Sequence, residues 1–234
     1  MDHDAAQISL HELQLATRNH GTPLEALRYP RTPIGLHYLL IHYDIPSIDP
    51  ADWHLRVEGC VSTPLHLTMD DIKSRERFSE TVTMECAGNG RALMQPRPPS
   101  QPWLQEAVGT AEWTGIRLGS LLEEAGVATE AVEVVLSGLD RGIDGGVEQV
   151  YARSLSIDDT RRPEVLLAYE MNGAPLLAQH GAPLRVVTPG WYGMTNVKWL
   201  SHITVVDRPF TGYQQVHSYI LRTTPDDAGT PLSR

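Results

Sequence analysis

Apolar and polar positions alternate with a period of two in several stretches of this chain, and each such stretch predicts a half-buried strand. Trp53, Leu55 and Val57, then Leu65 and Leu67, with Gly59 and Pro64 as punctuation, predict a hairpin over 53–67. Val and Thr alternate from Glu80 to Met84, which predicts a strand running into Cys86. Ala131 to Leu136 and Ile203 to Val206 predict two more, and Tyr151 to Ile157 reads as a strand or as a segment facing a site. Val165 to Met171 is apolar throughout and predicts a buried run, ended by the turn signal Asn172-Gly173. Helical spacing is scarcer. Ile8, Leu10, Leu13 and Leu15 suggest a helix before Thr17, Thr68 caps a short one with Asp70 and Asp71 in its first turn, and Leu118 to Ala125 forms another that Gly126 stops. Residues 92–113 are rich in Pro and Gln, hold Trp103 and Trp113, and show no period, so they predict a long loop of the kind that walls a site. The pattern as a whole gives a mixed, strand-rich chain. No repeat or linker divides it, so 1–234 reads as one domain.

At 234 residues the chain is long enough for a full core. Its formal net charge of −10 argues against nucleic acid as a partner, because phosphate backbones demand clustered Lys and Arg. A locally basic pocket remains compatible with that charge. The two cysteines, Cys60 and Cys86, could pair but are too few for a disulfide scaffold or a four-cysteine metal site. There is no Cys-x-x-Cys-His for a covalent haem, and Gly142 to Gly146 lacks the spacing of a dinucleotide turn. The acidic start has no leader pattern, and no apolar run nears the roughly 20 residues of a membrane span. These features read as a soluble, cytoplasmic protein, or a periplasmic one whose leader has been removed.

The chemistry concentrates in Thr83-Met84-Glu85-Cys86-Ala87-Gly88-Asn89-Gly90-Arg91. A strand delivers a cysteine to its end. Two glycines then allow a tight turn or the close approach of a ligand, Asn89 tolerates left-handed backbone, and Arg91 adds a fixed charge. Thiolate suits soft metal centres, and backbone N–H groups with an arginine suit oxyanions. A lone cysteine at a strand end is also an ordinary small apolar residue. A zinc site from Cys86, His180 and a further histidine is a third reading.

Glu85-Cys86-Ala87-Gly88-Asn89-Gly90-Arg91 resembles the core motif of the sulfite oxidase family of molybdenum enzymes. His180-Gly181-Ala182-Pro183-Leu184-Arg185-Val186-Val187-Thr188-Pro189-Gly190 and Asn196-Val197-Lys198-Trp199-Leu200 resemble its second and third signatures, in the family's order and at about its separations. The likeness runs from about Pro33 to Tyr219. It implies an α+β, β-rich domain of the sulfite oxidase molybdopterin-binding type, with the cofactor between sheets and loops. It implies molybdenum-molybdopterin as cofactor and the Cys86 thiolate as the one protein ligand to the metal, its pKa lowered by Arg91 and backbone N–H groups. Tyr38, His42, Asp140, His180, Gly181, Arg185, Asn196 and Lys198 are carried over as cofactor contacts, with Arg185 able to grip a phosphate in bidentate fashion. Arg91, Trp103 and Tyr219 join Cys86 as the catalytic set, and Gln215 keeps the family's four-residue spacing to Tyr219.

The sequence departs from the family in one place. Leu40 and Ile41 stand where sulfite oxidases carry Arg and Asn, so a cation that holds sulfite is missing there. Arg18-Asn19-His20 has the right composition but sits too early in the chain. The resemblance implies oxygen-atom transfer to or from a small oxyanion, sulfite to sulfate in the first instance, with reduction of an S- or N-oxide as the alternative. No haem, flavin or cluster motif is visible, so electrons would leave to an external acceptor such as a cytochrome. An acidic surface would steer a basic one. The family's dimerisation and haem domains have no counterpart, and the chain reads as the catalytic core alone, with its oligomeric state open.

Overall fold

The structure is a computed structural model that describes residues 17–222, 224 and 227–232. The helical pattern at Ile8 to Leu15 lies outside the described residues. Two sheets carry the fold. The first orders its strands β2 (Leu65–Leu67), β1 (Leu55–Gly59), β10 (Leu200–Val206), β5 (Glu133–Asp144) and β6 (Val147–Ser156). Only β1 and β10 run parallel, and the other neighbours are antiparallel. The second is antiparallel and orders β3 (Phe78–Glu85), β4 (Val108–Arg117), β7 (Leu166–Met171) and β8 (Ala174–Pro175), with β9 (Arg185–Val187) also on β7. A ribbon of β11 (Ile220–Leu221) and β12 (Thr230–Pro231) follows near the end of the chain.

The main core lies between the sheets. Leu55 and Val57, Val134 and Leu136, and Ile203 and Val205 face Ile116, Leu167 and Val186 across it. Helix α2 (Leu118–Ala125) adds Leu118, Leu121 and Leu122, and ends at Gly126 in the left-handed region at φ 70°. Helix α1 (Met69–Lys73) opens on a reciprocal cap between Thr68 and Asp71, and α3 (Ile157–Thr160) on a Ser156 cap. The second sheet is covered on its other face too. Leu166, Ala168 and Met171 point away from the main core and pack with Val82, Met84, Trp103 and Tyr38. A strand buried on both faces has no polar side, which is why Val165 to Met171 reads as one apolar run.

The structure departs from the periodic reading in two places. The loop after Cys86 ends at 107, not 113, because Val108 to Arg117 pairs along both β3 and β7. Gly109, Ala111 and Gly115 leave its alternation without large apolar residues to announce it. Strand β5 also runs on past Leu136, so Asp140 does not follow a strand but sits inside one, at an irregularity between Ser137 and Arg141. Asn172 and Gly173, at φ 51° and 77°, make the expected tight turn. Cys60 and Cys86 are free thiols rather than a pair.

Gly109 shows how tightly the second layer is built. A Cβ there would lie 2.6 Å from the ring of His37, which stacks on Tyr38 and meets Trp113 and His180 edge-on. Gly109→Ala is expected to cost about 1–3 kcal/mol through this overpacking, lowering the thermal midpoint by several degrees. An unchanged melting curve would show that the ring has room to shift.

Candidate functional site

One cavity, about 580 Å³ with its open mouth included, lies between the second sheet, the segment 37–42, β5 and β6, and the loops around His180 and Asn196. Tyr38, His42, Cys86, Asp140, His180, Arg185, Asn196 and Lys198 all line it. Residues separated by as many as 160 positions are thus brought to one wall.

Cys86 sits one residue past β3, buried at 4 % exposure. The loop after it is held by Asn89, whose amide donates to Glu85 and whose carbonyl oxygen accepts from Ala107 N–H. Left-handed backbone falls on Gly90, at φ 81°, and not on Asn89. Gly88 is needed for space: a Cβ there would lie 2.4 Å from the Arg91 guanidinium, which folds back over the loop and donates to Ser100 and the Gln101 carbonyl. The Gly88 N–H donates to Cys86 Sγ at 3.4 Å. The sequence implies a lowered thiol pKa, but burial pushes it up, against the opposing pull of Gly88 N–H, Arg91 and the Trp103 indole. A coordinated metal would remove that proton outright. Trp103 is 2 % exposed, and its Nε1 has no hydrogen-bond partner at normal geometry.

Of the residues expected to be catalytic, only Cys86 lines the cavity, and Arg91, Trp103 and Tyr219 do not; Tyr219 is joined to it through His42, whose Nε2 shares a short hydrogen bond with the phenol oxygen. Burial and the nearby cations Lys198, Arg18 and Arg91 drop the His42 pKa to about 3, so the ring is neutral. Burial, then the Cys86 thiolate, push the Tyr219 phenol far up, so it keeps its proton. Tyr219 follows a π-helical turn at Gln214–Ser218, and Gln215 Oε1 accepts from the Ser154 N–H of β6. Tyr151 tilts against His42, with ring centroids 4.8 Å apart, and donates to the Met194 carbonyl.

The rest of the cavity is cationic. Lys198 donates to the Leu40 carbonyl at 2.6 Å, and burial with the neighbouring Arg185 lowers its pKa to about 7. Arg185 is buried and lowered to about 10 by desolvation. Its N–H groups donate to the carbonyls of His180, Asn196 and Val186 and to Met84 sulfur, so it presents charge rather than a free bidentate fork. The Asn196 side chain is engaged as well, accepting from Thr188 N–H and donating to Tyr192 O. Gly181, at φ 104°, gives Lys198 room that a Cβ would take. His180 and His37 meet edge-on at 5.9 Å. Opposite them, Asp140 is buried with Oδ1 unpaired, and desolvation raises it to about 6.

Sequence reasoning gave no role to His37, Leu39, Met84, Gln179, Gly193 or Met194, which also line the cavity, and read Tyr151 to Ile157 as a strand or a segment facing a site; Tyr151 is both, on β6 and in the lining. His37 adjoins Tyr38, which the sequence placed at the cofactor, and that was an available signal. Arg18-Asn19-His20, too early in the chain to be the family trio, nonetheless packs on that segment. Asn19 accepts from Ile41 N–H and donates to Gln101, while Arg18 donates to the carbonyls of His42 and Tyr43.

The donor set suits a large, anionic, sulfur-bearing cofactor. Lys198 and Arg185 supply positive charge for a phosphate, Asp140 Oδ1 is an unfilled acceptor for ring N–H groups, and Cys86 offers a single soft ligand. Among the described residues no three His, Cys, Asp or Glu side chains converge on a metal by themselves, which removes the ligand set that the zinc reading needs. The remaining metal ligands must come with the cofactor.

Comparison with known proteins agrees. The family described as oxidoreductase molybdopterin binding domain matches residues 42–214. The chain is 37% identical to mitochondrial sulfite oxidases of Drosophila melanogaster over 193 residues and of Homo sapiens over 196, covering 80% of this chain and 33% and 35% of those proteins. It is 32% identical over 193 residues to the NADH nitrate reductase of Ulva prolifera, covering 80% of this chain and 22% of that one. The chain thus spans about a third or less of these relatives. Its fold is similar to that of the sulfane dehydrogenase SoxCD of Paracoccus pantotrophus, with a TM-score of 0.75 and 25% identity over 94% of this chain and 58% of that one. The chain therefore belongs to the oxidoreductase molybdopterin-binding domain family, as an enzyme domain whose cofactor is molybdenum held by molybdopterin.

Proposed function

We propose that this domain oxidises sulfite to sulfate and passes the electrons to an external acceptor. The observation that carries the reading is that Cys86 and His42 line one cavity with Lys198 and Arg185, and that His42 is hydrogen-bonded to Tyr219. Sulfite and water yield sulfate, two protons and two electrons. Molybdenum held by molybdopterin supplies the two-electron redox change and the oxygen-atom exchange.

The chain's own residues do the rest. Cys86 holds the metal. Lys198 and Arg185 neutralise the cofactor phosphate, and Asp140 accepts from the pterin ring. Tyr219 keeps its proton and can donate it as a hydrogen bond to a substrate oxygen, while neutral His42 fixes the direction of that phenol. Arg91 adds positive charge that Cys86, His42 and Tyr219 all feel. Trp103 seals the Cys86 loop against water. A cytochrome or similar small carrier fits as acceptor, and the net charge of −10 favours a basic one.

Leu40 favours a second reading. Where sulfite oxidases carry arginine, this wall presents an apolar side chain, which would suit a less charged S- or N-oxide taken in the reductive direction. Among the described residues no helix is long and apolar enough to cross a membrane. Steady-state assays on protein holding about one molybdenum per chain, a ratio for one site, separate the two readings. Sulfite-dependent reduction of an artificial acceptor is the expected result. Turnover of sulfoxides or N-oxides with none of sulfite would replace the first reading by the second.

A further inference from the structure

Arg153 is out of place for a structural residue. It lies on β6 with 1 % exposure, among the largest fully buried side chains of the protein. Among the described residues no ion pair includes it, and the groups that favour its charge are the phenols of Tyr151 and Tyr219 rather than a carboxylate. Burying an unpaired guanidinium is costly, and an apolar residue in a strand core would avoid that cost.

Its donors point to what it does. One terminal nitrogen donates to the Gln214 carbonyl at 2.5 Å, at the start of the turn that leads to Tyr219. The other donates to the Leu232 carbonyl at 2.6 Å, beyond the terminal ribbon, and Leu232 N–H in turn donates to the Tyr219 carbonyl. The guanidinium carbon stands 5.6 Å from the centre of the Tyr219 ring, within cation–π range, and Nε is left without a partner. A single cation thus ties both limbs of the 214–232 segment to β6 directly behind the phenol that meets His42. We propose that Arg153 is a positioning residue. It straps the terminal segment down so that Tyr219 reaches the site, and its uncompensated charge strengthens the binding of a small oxyanion there, in place of the cation absent at position 40.

The anion half of this inference rests on the oxyanion reading of the site, while the strap half does not, and the test keeps them apart. Arg153→Met and Arg153→Lys are compared with the wild-type holoenzyme, all at equal molybdenum content. Limited trypsin digestion reads the strap at Arg208 and Arg222. Titration calorimetry with sodium sulfate reads the anion site. Arg153→Met should be cut about tenfold faster and bind sulfate about tenfold more weakly, because the two carbonyl tethers and the buried charge behind Tyr219 are lost together. Arg153→Lys keeps the charge but cannot bridge two carbonyls. It should recover most of the sulfate affinity and remain more easily cut, and it stands in if the Met variant fails to fold. Unchanged digestion in both variants would overturn the strap. Faster digestion with unchanged sulfate affinity in the Met variant would overturn the electrostatic role. Wild-type protein that binds no sulfate would overturn the oxyanion reading, and the digestion would still decide the strap.

Discussion

Cys86→Ser should lose oxidoreductase turnover by about three orders of magnitude, equivalent to about 4 kcal/mol of barrier, while the protein keeps its fold and its pterin. The argument begins with ligand count. Among the described residues no other set of His, Cys, Asp or Glu can hold a metal, so no neighbour can take over from this sulfur. A serine hydroxyl stays protonated where the cysteine would ligate as thiolate, and it is a harder, poorer ligand for a sulfur-bound centre. The fold should survive because Ser is close to Cys in size and the loop is held by other bonds, those of Asn89 to Glu85 and Ala107 and those of Arg91 to Ser100 and Gln101. Pterin retention should survive because Lys198, Arg185, Asp140 and His180 still line the cavity and none of their hydrogen bonds uses the Cys86 side chain. Three measurements check this together: metal and pterin content, the thiolate-to-metal charge-transfer absorption, and turnover. The expected pattern is bound pterin with the absorption band gone and turnover lost. A serine protein with full turnover and an unchanged spectrum would mean that Cys86 is a buried apolar residue after all.

The strands were legible wherever one face met solvent. Hairpin β1–β2 and strands β3 and β10 alternate, and alternation is what a half-buried strand must show. Strand β4 was not legible. It is buried on both faces only from Trp113 to Ile116, and close packing against His37 and the Leu167 backbone demands glycine at 109 and 115. Those glycines remove the apolar signal that a reader looks for. Asp140 was placed after a strand because the run Ser137-Gly138 resembles a strand end. In the fold, pairing resumes at Arg141 beyond an irregularity, which turns the carboxylate toward the cavity. The site was legible for a different reason: its residues are dictated by contact with a cofactor, and they come as short motifs. Of the residues expected at the cofactor, Tyr38, His42, Cys86, Asp140, His180, Arg185, Asn196 and Lys198 line one cavity, and Gly181 does not. The segment from Tyr151 was legible only as a strand or a site-facing run, and the roles of Tyr151 and Arg153 on it were not, because each also acts through another residue. Tyr151 packs on His42 and Arg153 backs Tyr219, and a role exercised through a neighbour leaves no motif. The pairing of segment 39–43 with Arg18-Asn19-His20 was hidden for the same reason, since only tertiary structure brings the two stretches together.

Stability of the cofactor-free protein should fall by about 4 kcal/mol between pH 7 and pH 5; His42, lowered to about 3, contributes about 2 kcal/mol of the loss, and the larger part traces to His37 and His180. Both are buried, at 2 % and 4 % exposure. Desolvation, and then the nearby Arg185 charge, lower His180 to about 3; desolvation, opposed by backbone hydrogen bonding, lowers His37 to about 4. In the unfolded chain both return to about 6.5. Below that value the unfolded state takes up protons that the folded state refuses, so stability is present above pH 6.5 and is lost as the pH falls toward the folded values. At pH 5 each ring accounts for about 2 kcal/mol. Asp140 works in the opposite sense. Its pKa is raised to about 6 by burial, so the folded state takes up a proton before the unfolded one and recovers about 1 kcal/mol over the same range. The three histidines outweigh it. Urea midpoints at pH 7 and pH 5 measure the difference, and His37→Gln supplies the internal control, because a side chain that does not titrate should return about a third of the loss shared by His37, His42 and His180. Equal acid sensitivity in wild type and His37→Gln would mean that the ring takes up its proton in the folded state, and so that the second layer is looser at His37 than its packing implies.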